Sequence, residues 1–173
     1  KNITDELQMI KEHYGIKEVF VGDDEVNTNP QWLLSVCDEI IKSGLKISWK
    51  CQMRVNKNIT SLSLFKKMKK AGCWHIAWGI ESGRNHVLKM INKKITKQEV
   101  VRAIKLSKKA GLKNMGLFML GNIWKDENDN LSGETFSDCQ KTIYFAKQLR
   151  DKNLLDYVNF NIATPYPGSE MWN

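Results

Sequence analysis

The chain alternates between two hydrophobic periods. Apolar residues recur at helical spacing over residues 3–13, 31–42, 62–71, 85–91, 96–110 and 136–150. Between and beyond them lie five short apolar runs, at 18–22, 46–52, 75–80, 114–121 and 157–163, which read as strands. The stops are chemically explicit. Gly15, Gly44, Gly72 and Gly111 each follow a helical pattern, where glycine supplies the left-handed conformation that ends a helix. Pro30 suits a first helical turn, and Thr96 with Glu99 forms a capping box. After the last run, Thr164-Pro165-Tyr166-Pro167-Gly168 turns the chain, because the prolines forbid continuation of strand or helix.

Helices alternating with short strands imply an α/β fold of parallel strands joined by right-handed crossovers. A parallel sheet is expected to bury both faces, and the β-branched and aromatic content of the runs agrees. No GxGxxG or GxxxxGK[ST] follows the first strand, as a doubly wound nucleotide-binding sheet would have it, so a curved, partial (β/α) barrel of the TIM-barrel kind is the preferred architecture.

In such a barrel the functional groups gather at the carboxyl ends of the strands. Those ends carry Asp23 and Asp24, with Glu25, after the first strand, and Arg54 at the second. Glu81 and Ser82 follow the third, within Trp78-Gly79-Ile80-Glu81-Ser82-Gly83, and Gly121 follows the fourth. The three consecutive carboxylates suit a divalent metal, an ammonium group or a helix cap. Arg54 suits a ligand carboxylate, or equally a structural pairing with Asp23 or Glu81. Residues 121–133, with Asp126, Glu127, Asn128, Asp129 and Asn130 in succession, read as a solvated loop without the EF-hand spacing.

At 173 residues and 42% hydrophobic, the chain suffices for one domain with one core. No run approaches the roughly 18 to 20 apolar residues of a membrane span, and no signal-peptide pattern opens the chain, so a soluble cytoplasmic protein is expected. The chain begins at Lys1 and stops at Asn173, just after a turn, which predicts a piece of something longer. Cys37, Cys51, Cys73 and Cys139 share no CxxC or CxxxC spacing and read as reduced, mostly buried thiols. The net charge of +8 comes mostly from lysines on the polar faces of amphipathic helices. Without interleaved exposed aromatics and with few arginines, they read as solvated surface rather than a nucleic-acid footprint.

Taken in order, several of these segments resemble the radical S-adenosylmethionine enzymes, in the branch that often carries a cobalamin-binding domain. Val19-Phe20-Val21-Gly22-Asp23-Asp24 is similar to that family's second strand, and Trp49-Lys50-Cys51-Gln52-Met53-Arg54-Val55 to its third. The most specific run is Met68-Lys69-Lys70-Ala71-Gly72-Cys73, then Gly79-Ile80-Glu81-Ser82-Gly83, then Lys93 with Thr96. Ala110-Gly111-Leu112, Phe118-Met119-Leu120-Gly121, Gly133-Glu134-Thr135 and Pro165-Tyr166-Pro167-Gly168-Ser169 complete the order.

The resemblance implies a core that binds S-adenosylmethionine beside a [4Fe-4S] cluster and generates a 5'-deoxyadenosyl radical. Its substrate would be a small molecule or peptide, with cobalamin-dependent methyl transfer as one outcome. By the same resemblance Glu81 and Ser82 meet the ribose, and Lys93 or Arg54 the methionine carboxylate. Asp23 or Asp24 would meet the ammonium, and the adenine would rest near Met119 to Gly121. No catalytic side chain or metal ligand is assigned. Two departures stand out. The CxxxCxxC that binds three irons of the cluster is absent, and is expected upstream of Lys1. The family's compact GxPGET is stretched, with ten residues, Ile123 to Ser132, between Gly121-Asn122 and Gly133-Glu134-Thr135. Two other readings stay open: a non-catalytic barrel that has lost its cluster and binds a nucleotide-like ligand or a partner, and an RNA-modifying member holding tRNA on its lysine faces.

Overall fold

The computed structural model describes residues 2–22, 25–56, 61–126 and 128–168. In chain order these form α1 (Asn2–Tyr14), β1 (Glu18–Val21), α2 (Pro30–Ser43), β2 (Ser48–Arg54), α3 (Leu62–Lys70), β3 (Cys73–Glu81) and α4 (Asn85–Met90). Then come α5 (Lys97–Lys109), β4 (Lys113–Leu120), β5 (Ile123–Lys125), β6 (Leu131–Gly133), α6 (Phe136–Asp151) and β7 (Tyr157–Ile162). The sheet is wholly parallel, ordered β1-β2-β3-β4-β7. Each strand lies beside its predecessor in that sheet, without the reversal of order that marks a doubly wound fold, so the expected partial (β/α) barrel is what forms.

The helices start and stop for the reasons their sequences suggest. Asn29 accepts from the Trp32 N–H at 3.0 Å ahead of Pro30, and Gly44 closes α2 at φ 69°. Ser61 caps α3, and Thr96 and Glu99 make the reciprocal capping box of α5. Gly72 is the most constrained glycine. It turns the chain from α3 into β3 at φ 95°, and a Cβ there would lie 2.2 Å from the Ile47 carbonyl oxygen.

Burial alternates along the strands, and one face is covered far better than the other. Trp49, Cys51, Met53, Ile76, Trp78 and Phe118 point toward a continuous helical layer in which α1 packs on α2, α2 on α3 and α3 on α5. On the opposite, concave face, Gln52, Leu117 and Met119 are only half-buried, and Tyr157, Asn159 and Asn161 are exposed. The expectation of burial on both faces is therefore corrected. Barrel curvature keeps the helices outside and leaves the inner wall of the described residues open, with polar and flexible side chains along it.

Residues 121–133, expected as a solvated loop, instead form an antiparallel β5–β6 hairpin. The Asp126 carboxylate accepts from the N–H groups of Asn128 and Asn130 at 2.8 and 2.9 Å and closes its turn. Those bonds hold the Asp126 carboxyl below its ordinary pKa. Asp126 thus serves the turn, and no cluster of metal-ligating side chains occurs among the described residues.

At the amino ends of β4 and β7 a polar network fixes the barrel floor. Fully buried Asn114 accepts from Trp78 Nε1 at 2.9 Å and from the Ser107 hydroxyl, and donates to the Leu154 carbonyl at 3.1 Å. Asp156, with a side chain only 9% exposed, accepts from Lys108 at 2.8 Å, Lys113 at 2.9 Å and the Asn114 N–H at 2.8 Å. Burial alone pushes its carboxyl up, but the two lysines and the amide outweigh that and hold it below the ordinary value.

Two consequences can be measured. A carboxyl depressed in the folded state contributes stability that is complete above its unfolded pKa of about 3.9 and is lost as pH falls through the lower folded value. Asp156→Asn should therefore flatten the dependence of the urea midpoint on pH below about pH 4; an unaltered acid limb would contradict the assignment. Gly72→Ala, strained in φ and blocked by backbone, should destabilise by more than about 2 kcal/mol in the same assay. A near-neutral result would show that the turn can be rebuilt.

Candidate functional site

The carboxyl end of β3 does not run straight. Gly79 pairs with Leu117 and Glu81 with Phe118, so Ile80 is the extra residue of a bulge. Glu81 then takes φ 66°, and the Ser82 N–H donates to the Ile80 carbonyl at 2.9 Å, closing a three-residue turn around Glu81. A positive-φ turn of this size on a non-glycine residue is rare and costs about 1 to 3 kcal/mol, a strain that concentrates at functional positions.

What the turn achieves is the placement of one carboxylate. Glu81 Oε1 lies 2.7 Å from Lys93 Nζ, with the two side chains 20% and 17% exposed. Gly79 makes the room: a Cβ there would lie 3.0 Å from Glu81 Oε1 and 3.2 Å from Lys93 Nζ. Lys93 sits between α4 and α5, flanked by Asn92 and Lys94 at φ 53° and 56°. Its N–H donates to the Leu88 carbonyl at 2.9 Å, and its carbonyl accepts from Arg54 Nη2 at 3.3 Å.

Arg54 is itself held. Its Nη1 lies 2.9 Å from Glu25, and buried Asn27 grips its backbone by donating to the Arg54 carbonyl at 2.8 Å and accepting the Arg54 N–H at 3.1 Å. Among the described residues, then, the carboxylate that pairs with Arg54 is Glu25, while Glu81 pairs with Lys93. Asp23 and Asp24 lie outside the described residues.

Ser82 turns the other way. It is 0% exposed, and its hydroxyl lies 3.1 Å from the Thr142 hydroxyl of α6, 3.3 Å from Glu134 Oε1 and 3.2 Å from the Arg84 N–H that donates to it. In this arrangement Ser82 has no surface to present to a ligand, because Thr142, Glu134 and the Arg84 N–H enclose its hydroxyl. Glu134, whose acidic side chain the stretched motif contains, bridges the gap. Its Oε2 accepts from the Asn122 N–H at 3.0 Å and Asn122 Nδ2 at 2.8 Å, and its own N–H donates to the Asn122 carbonyl at 2.8 Å. The ten intervening residues are extruded as the β5–β6 hairpin, and Gly121-Asn122 still meets Gly133-Glu134 at its base. Asn27 and Thr142 carried no functional signal in the sequence; Glu25 was read with Asp23 and Asp24 as one of three carboxylates, and the stretched motif, with Asn122 and Glu134, was the cue to the bridge.

Above these strand ends opens a cleft of about 870 Å³, lined by Glu81, Lys93, Met119 and Asn122 on the strand side and by α4 and the hairpin on the other. Gly121, at φ 75°, leaves its backbone open, with no atom within 4 Å of where a Cβ would stand. A carboxylate and an ammonium in one partly apolar cleft are suited to a ligand that carries hydroxyls, a carboxylate and an apolar ring.

The thiols do not form a cluster site. Cys37, Cys51 and Cys73 are buried, and Cys51 and Cys73 belong to the helix-facing core. Burial, with the neighbouring Cys73 thiol, pushes Cys37 up to about 12, and burial also raises Cys73, as expected of protonated thiols packed in a core.

The Radical SAM superfamily matches residues 1–131. An uncharacterized methyltransferase of Pyrococcus horikoshii is 36% identical over 172 residues, covering 99% of this chain and 34% of that protein. The anaerobic magnesium-protoporphyrin IX monomethyl ester cyclase of Rubrivivax gelatinosus is 27% identical over 172 residues, covering 99% of this chain and 29% of the relative. Among solved structures, the radical S-adenosylmethionine methyltransferase TsrM of Kitasatospora setae, with cobalamin and a [4Fe-4S] cluster bound, superposes with a TM-score of 0.79 at 15% identity, over 98% of this chain and 32% of that one. The chain belongs to the radical SAM superfamily. It spans about a third of the length of the curated relatives it matches.

The Glu134 bridge yields a prediction. Glu134→Ala should cost about 1 to 3 kcal/mol in chemical denaturation and speed hydrogen exchange at the Asn122 amide and along β5. Unchanged exchange there would mean that the hairpin pairing alone holds the base of the insertion.

Proposed function

We propose that this chain supplies the nucleoside and carboxylate contacts for S-adenosylmethionine in a radical enzyme, with methyl transfer to a small-molecule substrate as the activity of the whole protein. The observation that carries the reading is the Glu81–Lys93 ion pair, held at 2.7 Å on a strained turn at the mouth of the cleft. Strain and burial around a charged pair at the carboxyl end of a barrel strand are what a ligand site requires and a packing role does not.

In this reading the ion pair opens when the ligand arrives. The Glu81 carboxylate accepts from the two ribose hydroxyls, and the Lys93 ammonium turns to the methionine carboxylate. Arg54 acts through the backbone: tied to Glu25, it steadies the Lys93 carbonyl and so the loop that carries the ammonium. Asp23 and Asp24, next to Glu25 in sequence, are the residues proposed to receive the ligand's ammonium group. Met119 and the open backbone at Gly121 take the adenine end, while Ser82, bonded to Thr142 and Glu134, positions the Glu81 turn from behind.

A [4Fe-4S] cluster supplies the electron that cleaves the sulfonium bond in this superfamily; the buried thiols of the described residues do not fit it, and its ligands are proposed to lie elsewhere in the parent protein. Cobalamin, which TsrM contains, is likewise proposed for the parent protein and is assigned no residue of this chain. The open concave wall, with Gln52, Asn159 and Asn161 beside Leu117 and Met119, suits a substrate of mixed polar and apolar character.

Glu81→Ala in the intact protein should weaken S-adenosylmethionine binding about tenfold to a hundredfold, the loss of hydrogen bonds to a charged group, with little change in the unfolding midpoint. Equal affinity in a calorimetric titration would overturn the ribose assignment.

A further inference from the structure

The geometry points to the β5–β6 hairpin as a base-binding wall, with Trp124 the aromatic face on which the purine ring of the ligand stacks. This rests on the reading of Glu81 as the ribose partner and extends it outward along the same cleft.

The hairpin supplies Ile123, Trp124, Lys125, Asp129 and Leu131 to the wall of the 870 Å³ cleft, across from Met90 and Ile91 at the end of α4. With the ribose at Glu81, the remainder of that cleft, lined by Met119, Asn122 and the hairpin with Trp124, is left for the base. The indole is half-buried, enters no ring–ring contact and makes no hydrogen bond among the described residues, whereas Trp78 and Trp49 are both packed and bonded. A large ring in a cleft, unused by the fold, is a surface held for a ligand, and every base offers a π-face to it.

The rest of the hairpin fits a neutral occupant. Lys125 and Asp129 pair with each other at 3.2 Å, and Asp126 is spent on the turn, so the described part of this wall offers the ring no unpaired charge. The wall is also fixed in place. Glu134 ties its base to Asn122 and Ser82, and Gly133 lets the returning strand lie against Asn122, whose carbonyl oxygen would be 3.0 Å from a Cβ at that position. The insertion that lengthens the motif therefore adds a rigid side to the base end of the site, and it sets specificity for the aromatic ring rather than for the methionine end.

The test is binding to the intact protein with three probes: S-adenosylhomocysteine, adenosine and free methionine. Trp124→Ala should weaken both adenosyl probes by about tenfold or more and leave methionine unchanged, and Trp124→Phe, which keeps a ring, should stay within about threefold of the parent. If Trp124→Ala disturbs folding, Trp124→Leu, apolar without a π-face, must show the same selective loss. Adenosyl affinity unchanged in the alanine or leucine variant, while Glu81→Ala loses it, overturns the wall and leaves the ribose reading standing. If no variant, Glu81→Ala included, loses affinity, both fall together.

Discussion

The Glu81 backbone is bent to a positive φ, and the site depends on that bend. A bulge at Ile80 and a positive-φ turn at Glu81 end the regular strand at this point. Glu81 goes forward to Lys93 and the cleft; Ser82 goes back into Thr142 and Glu134. The surroundings over-determine the turn, as a strained conformation requires. Gly79 leaves space for the ion pair, Arg54 restrains the Lys93 loop, and Thr142 of α6 shares a hydrogen bond with the Ser82 hydroxyl. A second polar network, at Asn114 and Asp156, ties the amino ends of β4 and β7, away from the site.

This division of labour follows from barrel geometry. Helices cover the outer face of the sheet and make the core, so the inner wall and the carboxyl ends are free to be polar, half-exposed and strained. The stretched motif obeys the same logic. An insertion that began and ended far apart would have displaced Asn122 from Glu134. As a hairpin closed by Asp126 and anchored by Glu134, it adds a wall and leaves the junction at its base intact.

Much of this was legible in the sequence where local chemistry decides it. The Thr96–Glu99 capping box, Pro30 at the start of α2 and the glycines after the helices mark elements that form within a residue or two of expectation. The hairpin was not legible, because three-residue strands show no period and their turn is made by one carboxylate taking two backbone amides. The bend at Glu81 was not legible either, since nothing in a Gly-Ile-Glu-Ser string announces a positive φ on the glutamate. Ser82 looked like a ligand group because its burial depends on Thr142, 60 positions later. Among the described residues the carboxylate paired with Arg54 is Glu25, and the Asn27 clamp on the Arg54 backbone, 27 positions away in sequence, holds that geometry.

The central claim is that the Glu81–Lys93 pair holds the places that a nucleoside ligand later takes. The most direct measurement is a crystal structure of the intact protein with S-adenosylhomocysteine bound. The account predicts Glu81 within about 3 Å of both ribose hydroxyls and Lys93 moved from Glu81 to the ligand's carboxylate. An ion pair still closed at its present 2.7 Å, with the ligand bound elsewhere on the barrel, would contradict it.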